Sequence, residues 1–206
     1  DIASGPSSLS LKDVVLGLFH SNGVDKDIQV IIWKIRMPQA VMAVLVGMAL
    51  SLAGTEMQTI LNNPLASPFT LGVSAAATLG AALAIVSGIS LPFISSNWTV
   101  SVNAFLFAFG SVLLLQALTR WRGAGTSVLV LFGIALVFTF NALVPLLHYI
   151  ATPEALQQIV FWSMGSLGRR NWDKVQLLAI VLAATLPFTF AVSWKMTALR
   201  LGEDRA

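Results

Sequence analysis

The sequence predicts an all-α fold: a polytopic bundle of transmembrane helices with short interfacial helices beside it. Three observations carry that expectation. Of the 206 residues, 56% are apolar and 10% are charged, against the roughly 25% charged residues of soluble domains. Five stretches reach the ~20 apolar residues that a helix needs to cross a bilayer core: 41–61, 69–88, 98–118, 128–150 and 175–194. Charges bracket these stretches, and Glu56 is the exception that enters one. Backbone polar groups in lipid must be satisfied within their own segment, so each stretch is expected as a helix.

Residues 1–39 read as a periplasmic amphipathic segment with a helix lying at the membrane surface. In "SLSLKDVVLGLFHSNG", Leu11, Val14, Val15, Leu18 and Phe19 recur at helical spacing behind serines that can cap, over a length too short to span. In the second span, Gly72, Ala76, Gly80 and Ala84 form a strip of small residues at a spacing of four. Such a strip lets another backbone approach along a whole helix face, for tight packing or for lining a pore. Pro145 and Pro187 fall inside the fourth and fifth spans and predict kinks there. Between those spans, Thr152 suits an N-cap, Pro153 the first helical position and Glu154 the positive helix end; this short helix gives out at "GSLG".

With five spans the two ends lie on opposite sides. Lys12, Lys26, Lys34, Arg36, Arg169, Arg170 and Lys174 are spread over long segments on one side, while Arg120, Arg122, Lys195, Arg200 and Arg205 crowd short ones on the other. The positive-inside bias is strongest in short loops near the spans, which places residues 195–206 in the cytoplasm. The chain begins "DIASGPSS" and stops at "LGEDRA", and both ends read as cuts.

Enzyme chemistry is not expected. There is no cysteine, so neither a disulfide framework nor a thiolate metal site. No phosphate-cradling G-x-x-x-x-G-K-[ST] and no H-E-x-x-H occurs, and the two histidines, His20 and His148, sit in different segments. The net charge of +3 forms no basic stripe, which argues against nucleic acid as a partner. Glu56, late in the first span, is either a proton or cation site or a group reaching the interface or a neighbouring helix. In the first case the chain would be a proton-coupled secondary transporter.

The corner "NNPLASPF" joins the first two spans. The residue before a proline is pushed out of the helical region, so Asn-Asn-Pro ends the first helix, and Pro68 is suited to open the next. Polar but uncharged, the corner fits either a tight surface turn or the border of a solute passage.

"IRMPQAVMAVLVGMALSLAGTEMQTILNNPLASPFTLGVSAAATLGA" resembles the signature region of the permease subunits of binding-protein-dependent ABC importers for iron-siderophores, haem and cobalamin. The resemblance continues in order through "VLVLFGIALVFTFNAL", "IVFWSMGSLGRRNW" and "ALRLGEDRA". It implies a single permease domain holding the second to sixth of about ten helices. The implied partners are a second permease subunit, two ATP-binding subunits that hold ATP and magnesium, a periplasmic binding protein and the lipid of a bacterial inner membrane, with no cofactor in this chain. By the same resemblance an exposed Arg36 would dock the binding protein's carboxylates, Asn63, Leu65, Thr126 and Ser127 would close the cytoplasmic gate, and Glu203 would begin the surface that meets the ATPase. Gln39, Ala75 and Glu56 depart from the family pattern, which usually has an arginine, a glycine and an apolar residue at those places.

Overall fold

The computed structural model describes residues 10–19, 25–88, 95–122, 125–167 and 171–200. Its described elements are helices α1 (Leu11–Leu18), α2 (Lys26–Val30), α3 (Met37–Ile60), α4 (Val73–Ser87), α5 (Ser96–Arg122), α6 (Thr126–Ile150), α7 (Pro153–Ser163) and α8 (Trp172–Arg200), with a wider π-helical turn over Ile31–Arg36 that joins α2 to α3. Among the described residues, four helices are long and apolar enough to cross a membrane: Lys26–Ile60, Asn97–Leu118, Thr126–Ile150 and Trp172–Lys195. The expected second span is the exception, because α4 has only 15 residues, about 22 Å of rise against a ~30 Å hydrocarbon core.

The chain forms two compact units, one built from α1, α2 and α3 as far as Leu52 together with α8 to Lys195, the other from Ala53 on α3 through to Ser166 together with the residues from Met196. In the first unit, α1 forms where expected. Ser10 caps it, donating its hydroxyl to Asp13 and accepting the Asp13 N–H in a capping box. The boundary at residue 39 is not observed, since a continuous helical run from Lys26 leads into the first span.

The π turn explains how that run survives Pro38. A proline inside a helix has no N–H to donate and its ring crowds the preceding turn. In the wide turn the N–H of Met37 bonds to the carbonyl of Ile32, five residues back, which relaxes the crowding. The same step would give the Trp33 carbonyl the N–H of residue 38, which proline lacks. The indole Nε1 of Trp172, at the start of α8, donates to that carbonyl at 3.0 Å. Trp33 in turn donates its own Nε1 to the carbonyl of Gly17, at the end of α1, at 3.1 Å. Gly17 allows this approach, because a Cβ there would run into Ile32 Cδ1, and Ile32 is fully buried.

In the second unit α4 is the enclosed element, with Ala76 and Ala82 at 0% exposure and α5, α6 and α7 packed around it. The small-residue strip is used for close packing. A Cβ on Gly80 would lie 2.6 Å from the Asn103 carbonyl oxygen and 2.8 Å from Phe107 Cβ on α5. Helix α7 starts as expected: Thr152 accepts the N–H of Ala155 and Pro153 occupies the first turn. It ends at Gly165, whose φ is 71°. Helices α6 and α8 run unbroken through Pro145 and Pro187.

Candidate functional site

The corner between α3 and α4 is a chain of satisfied turns. Helix α3 stops in a Schellman motif: the N–H of Asn62 bonds to Thr59 O at 3.2 Å and that of Asn63 to Gln58 O at 3.1 Å, with Asn62 left-handed at φ 43°. Asparagine tolerates that conformation better than most side chains, and Pro64 prevents the helix from resuming. Asn63 then organises the turn. Its Oδ1 accepts the N–H of Leu65 at 2.9 Å, and its carbonyl accepts that of Ala66 at 3.1 Å. This is an Asx turn around a proline that already holds the required φ.

A single helical turn follows from Pro68. Ser67 and Thr70 bond reciprocally at its start, Ser67 N to Thr70 Oγ1 at 2.9 Å and Thr70 N to Ser67 Oγ at 3.3 Å. Gly72, at φ 79°, closes the turn, with its N–H on Phe69 O and the Val73 N–H on Pro68 O. Pro68 therefore opens this turn and not the span itself. The long helix waits until Val73 because the left-handed Gly72 breaks the run, which is why α4 is shorter than the apolar stretch predicts.

Two glycines bring the corner against α6. A Cβ on Gly133 would sit 2.9 Å from Leu71 Cα, and one on Gly72 would sit 3.1 Å from Leu136 Cβ. Beneath the contact, Leu61, Ala66, Leu71 and Leu115 form a buried apolar cluster, joined by Met57, Val73, Leu129, Val130, Phe132 and Leu136. Adjoining it, through Leu61 and Val130, is a cleft of about 560 Å³ lined by Leu61, Asn62, Asn63, Thr126, Ser127, Val130, Leu131 and Ile134.

Three of the four residues expected at a gate thus share one cleft. Asn63 is half-buried on the corner, and Thr126 and Ser127 are exposed on the first turn of α6. Leu65 is 80% exposed and is not among the lining residues. Asn62, Val130, Leu131 and Ile134 were not singled out from the sequence. Ser127, Val130, Leu131 and Ile134 follow helical spacing on α6, a periodicity that was there to be read. The corner contributes Leu61 and two amides, and α6 contributes two hydroxyls and three aliphatic side chains, with no charged side chain among the lining residues. Such a lining offers hydrogen bonds to a polar solute and no charge to hold an ion. Among the described residues, no group of three His, Cys, Asp or Glu side chains could hold a metal.

Glu56 and Arg36 are not among the lining residues. Glu56 is half-buried on α3, six residues before Asn62 and so about 9 Å along the helix axis from the corner, and it does not line the cleft. Arg36 closes the π turn and is only 6% exposed. The expected exposed guanidinium is not observed: on this turn Lys34 and Ile35 are exposed, while Arg36 falls on its inward side. Glu203 lies outside the described residues.

The left-handed Asn62 gives a direct check on the corner. Replacing it with valine, which resists positive φ, is expected to cost about 1–2 kcal/mol, read as a lower thermal midpoint in detergent. Glycine at the same position is expected to be neutral or slightly stabilising. Equal midpoints for Asn62→Val and Asn62→Gly would show that the corner does not hold this conformation.

The pattern of the FecCD transport family matches residues 1–206. The chain is 35% identical over 176 residues to the hemin transport system permease protein HmuU of Yersinia pestis, covering 85% of this chain and 53% of that protein. It is 34% identical over 185 residues to the molybdate import system permease protein MolB of Haemophilus influenzae, covering 89% of this chain and 53% of that protein. A solved structure described as a metal-chelate type ABC transporter in an inward-facing conformation superposes with a TM-score of 0.81 at 31% identity, over 98% of this chain and 60% of that one. The chain thus spans between about half and three fifths of the length of the proteins it matches.

Proposed function

This chain belongs to the FecCD transport family, and from that premise we propose that it is part of the membrane-crossing subunit of an ATP-driven importer that carries a bulky metal chelate into the cytoplasm, with an iron-siderophore as the substrate and haem or cobalamin as chemically related ones. Its partners are a second permease subunit, two ATP-binding subunits and a periplasmic binding protein, in the inner membrane of a bacterium. ATP and magnesium belong to the ATP-binding subunits, and this chain moves solute without transforming it.

The observation that carries the reading is the uncharged cleft in which Asn63, Thr126 and Ser127 meet. A gate for a large polar solute needs hydrogen-bonding groups that do not trap charge, on a backbone stiff enough to return to one closed position. The corner supplies both, and Leu65, exposed at its tip, adds an apolar group to the same lip. Glu203 starts the contact with the ATPase. Arg36 contributes to the receptor-facing side through the π turn it closes, from a buried position. A proton-coupled mechanism through Glu56 gains no support, since that carboxylate stands outside the cleft.

The test is uptake by proteoliposomes that hold the permease assembled with its ATP-binding subunits and receptor. Uptake of a ferric siderophore is expected to require ATP, to survive collapse of the proton gradient and to persist in Glu56→Gln. Molybdate, the cargo named for one relative, serves as the competing substrate. Gradient-driven uptake without ATP that disappears in Glu56→Gln would overturn the reading, and ATP-driven uptake of molybdate alone would overturn the substrate.

A further inference from the structure

Asn141 lies deep within α6, about 22 Å along the axis from Thr126 and about 14 Å from Ile150. Although this helix is apolar enough to cross a membrane, the residue is exposed. Other polar side chains within the long helices turn back on their own backbone: Thr139 donates to Ala135 O at 2.8 Å, and Asn103 on α5 donates to Thr99 O at 3.0 Å. The Asn141 amide has no such partner among the described residues. Pro145 brings a second polar group to the same level, because it has no N–H for the carbonyl four residues before it, which is that of Asn141. A polar group without a hydrogen bond is costly in hydrocarbon, so at this depth such a residue faces protein or a water-filled cavity. The helical register relates it to a cavity already described. Ser127, Leu131 and Ile134 carry the cleft on α6, and at 3.6 residues per turn Asn141 stands about 20° round the axis from Ile134 and about 40° from Ser127. Phe138, 72% exposed, fills the turn between.

We infer that Asn141 is a cargo-contacting residue: the face of α6 that begins at the cleft continues as one wall of the solute passage, and the Asn141 amide hydrogen-bonds the cargo part-way along it. The inference deepens the proposed importer function and rests on it. The wall also describes what it accepts. Leu131, Ile134 and Phe138 offer apolar contact, and Asn141 adds a neutral donor and acceptor. This combination suits a bulky chelate whose outer surface is mostly hydrocarbon with a few carbonyl or hydroxyl groups, and it gives a small, strongly hydrated anion little to replace its water.

The experiment uses the complete transporter in proteoliposomes. These 206 residues contain no cysteine, so Asn141→Cys adds a thiol that is followed against the wild type as background. A charged, water-soluble methanethiosulfonate reagent is expected to modify it at least about tenfold faster than Leu146→Cys, because a thiol facing hydrocarbon stays protonated and inert. Leu146 is also exposed, at 63%, but lies about 140° round the helix from Asn141. Modification of Asn141→Cys is expected to stop uptake of a ferric siderophore while ATP turnover continues. Asn141→Leu removes no side-chain hydrogen bond within the described residues, so it is expected to keep its thermal midpoint while uptake at low cargo concentration falls about fivefold, the scale of one lost hydrogen bond. Asn141→Ser, which keeps a hydroxyl, is expected to recover most of that loss. Equal reactivity of the two thiols, or full uptake by Asn141→Leu, overturns the inference. So does a disulfide between two copies of Asn141→Cys in the unmodified transporter with no reaction at the thiol, which assigns the amide to a helix of another subunit. A wild-type transporter that takes up no siderophore on ATP overturns the importer reading instead, and the two thiols still report whether this face of α6 borders water.

Discussion

Gly80→Ala is expected to lower the thermal midpoint of the protein in detergent by about 5–10 °C, corresponding to about 2–3 kcal/mol of overpacking. One methyl group has this effect because it would lie 2.6 Å from a backbone oxygen, that of Asn103, which cannot move without moving α5. Helix α4 has no slack to give in return, since Leu79, Ala81 and Ala82 beside Gly80 are all buried. Gly110 on α5 supplies the contrast, because a Cβ there meets nothing within 4 Å. Gly110→Ala is expected to raise the midpoint slightly, by the ~1 kcal/mol that alanine gains over glycine within a helix. The two substitutions are chemically identical and opposite in predicted sign. Equal shifts would mean that α4 and α5 do not approach as closely as described.

The second large effect is expected at the cleft. Ser127→Trp places an indole in a space of about 560 Å³, and uptake by the complete transporter is expected to fall at least about tenfold, as a narrowed passage loses its largest solutes first. ATP turnover is expected to persist, because Ser127 is exposed and its replacement leaves the buried cluster under the corner intact. Asn63→Trp fills the same cleft but also removes the amide that accepts the Leu65 N–H, so it is expected to lower both uptake and stability. Full uptake by Ser127→Trp, at normal expression, would remove the cleft from the transport path.

How much of this was legible in the sequence depends on whether the deciding partner is local. The caps of α1 and α7 could be read directly, because Ser10 with Asp13, and Thr152 with Pro153, lie within one turn of what they satisfy. Four spans followed from hydropathy and length alone. The beginning of α4 was misplaced by four residues, although the signal was present: Ser67 and Thr70 spaced to bond each other, then a glycine, describe one closed turn and not the start of a long helix. The π turn was not legible. Pro38 announces a missing donor, but the sequence nowhere says that Trp172 supplies it. The burial of Arg36 follows from the same turn and was missed for the same reason.

The cleft falls between these cases. Asn63, Thr126 and Ser127 were assembled from the resemblance, and the glycines that bring their segments together were visible without their meaning. Gly133 within "LFGIAL" reads as an ordinary residue of a membrane helix until Leu71 is found 2.9 Å from where its Cβ would be. A close approach of this kind depends on the partner, and a single sequence does not carry the partner's position.

The two successive Schellman closures at Asn62 and Gly72 leave few backbone groups between α3 and α4 free to change partners. Loose connections between helices fluctuate within nanoseconds to microseconds, whereas shifts of packed helices take microseconds to milliseconds. A corner braced in this way follows the slower clock, because it has no cheap local motion and must travel with the helix ends that carry it. On the proposed gate function, admission of cargo is then paced by helix repacking, and the momentary leaks that a floppy hinge allows are rare.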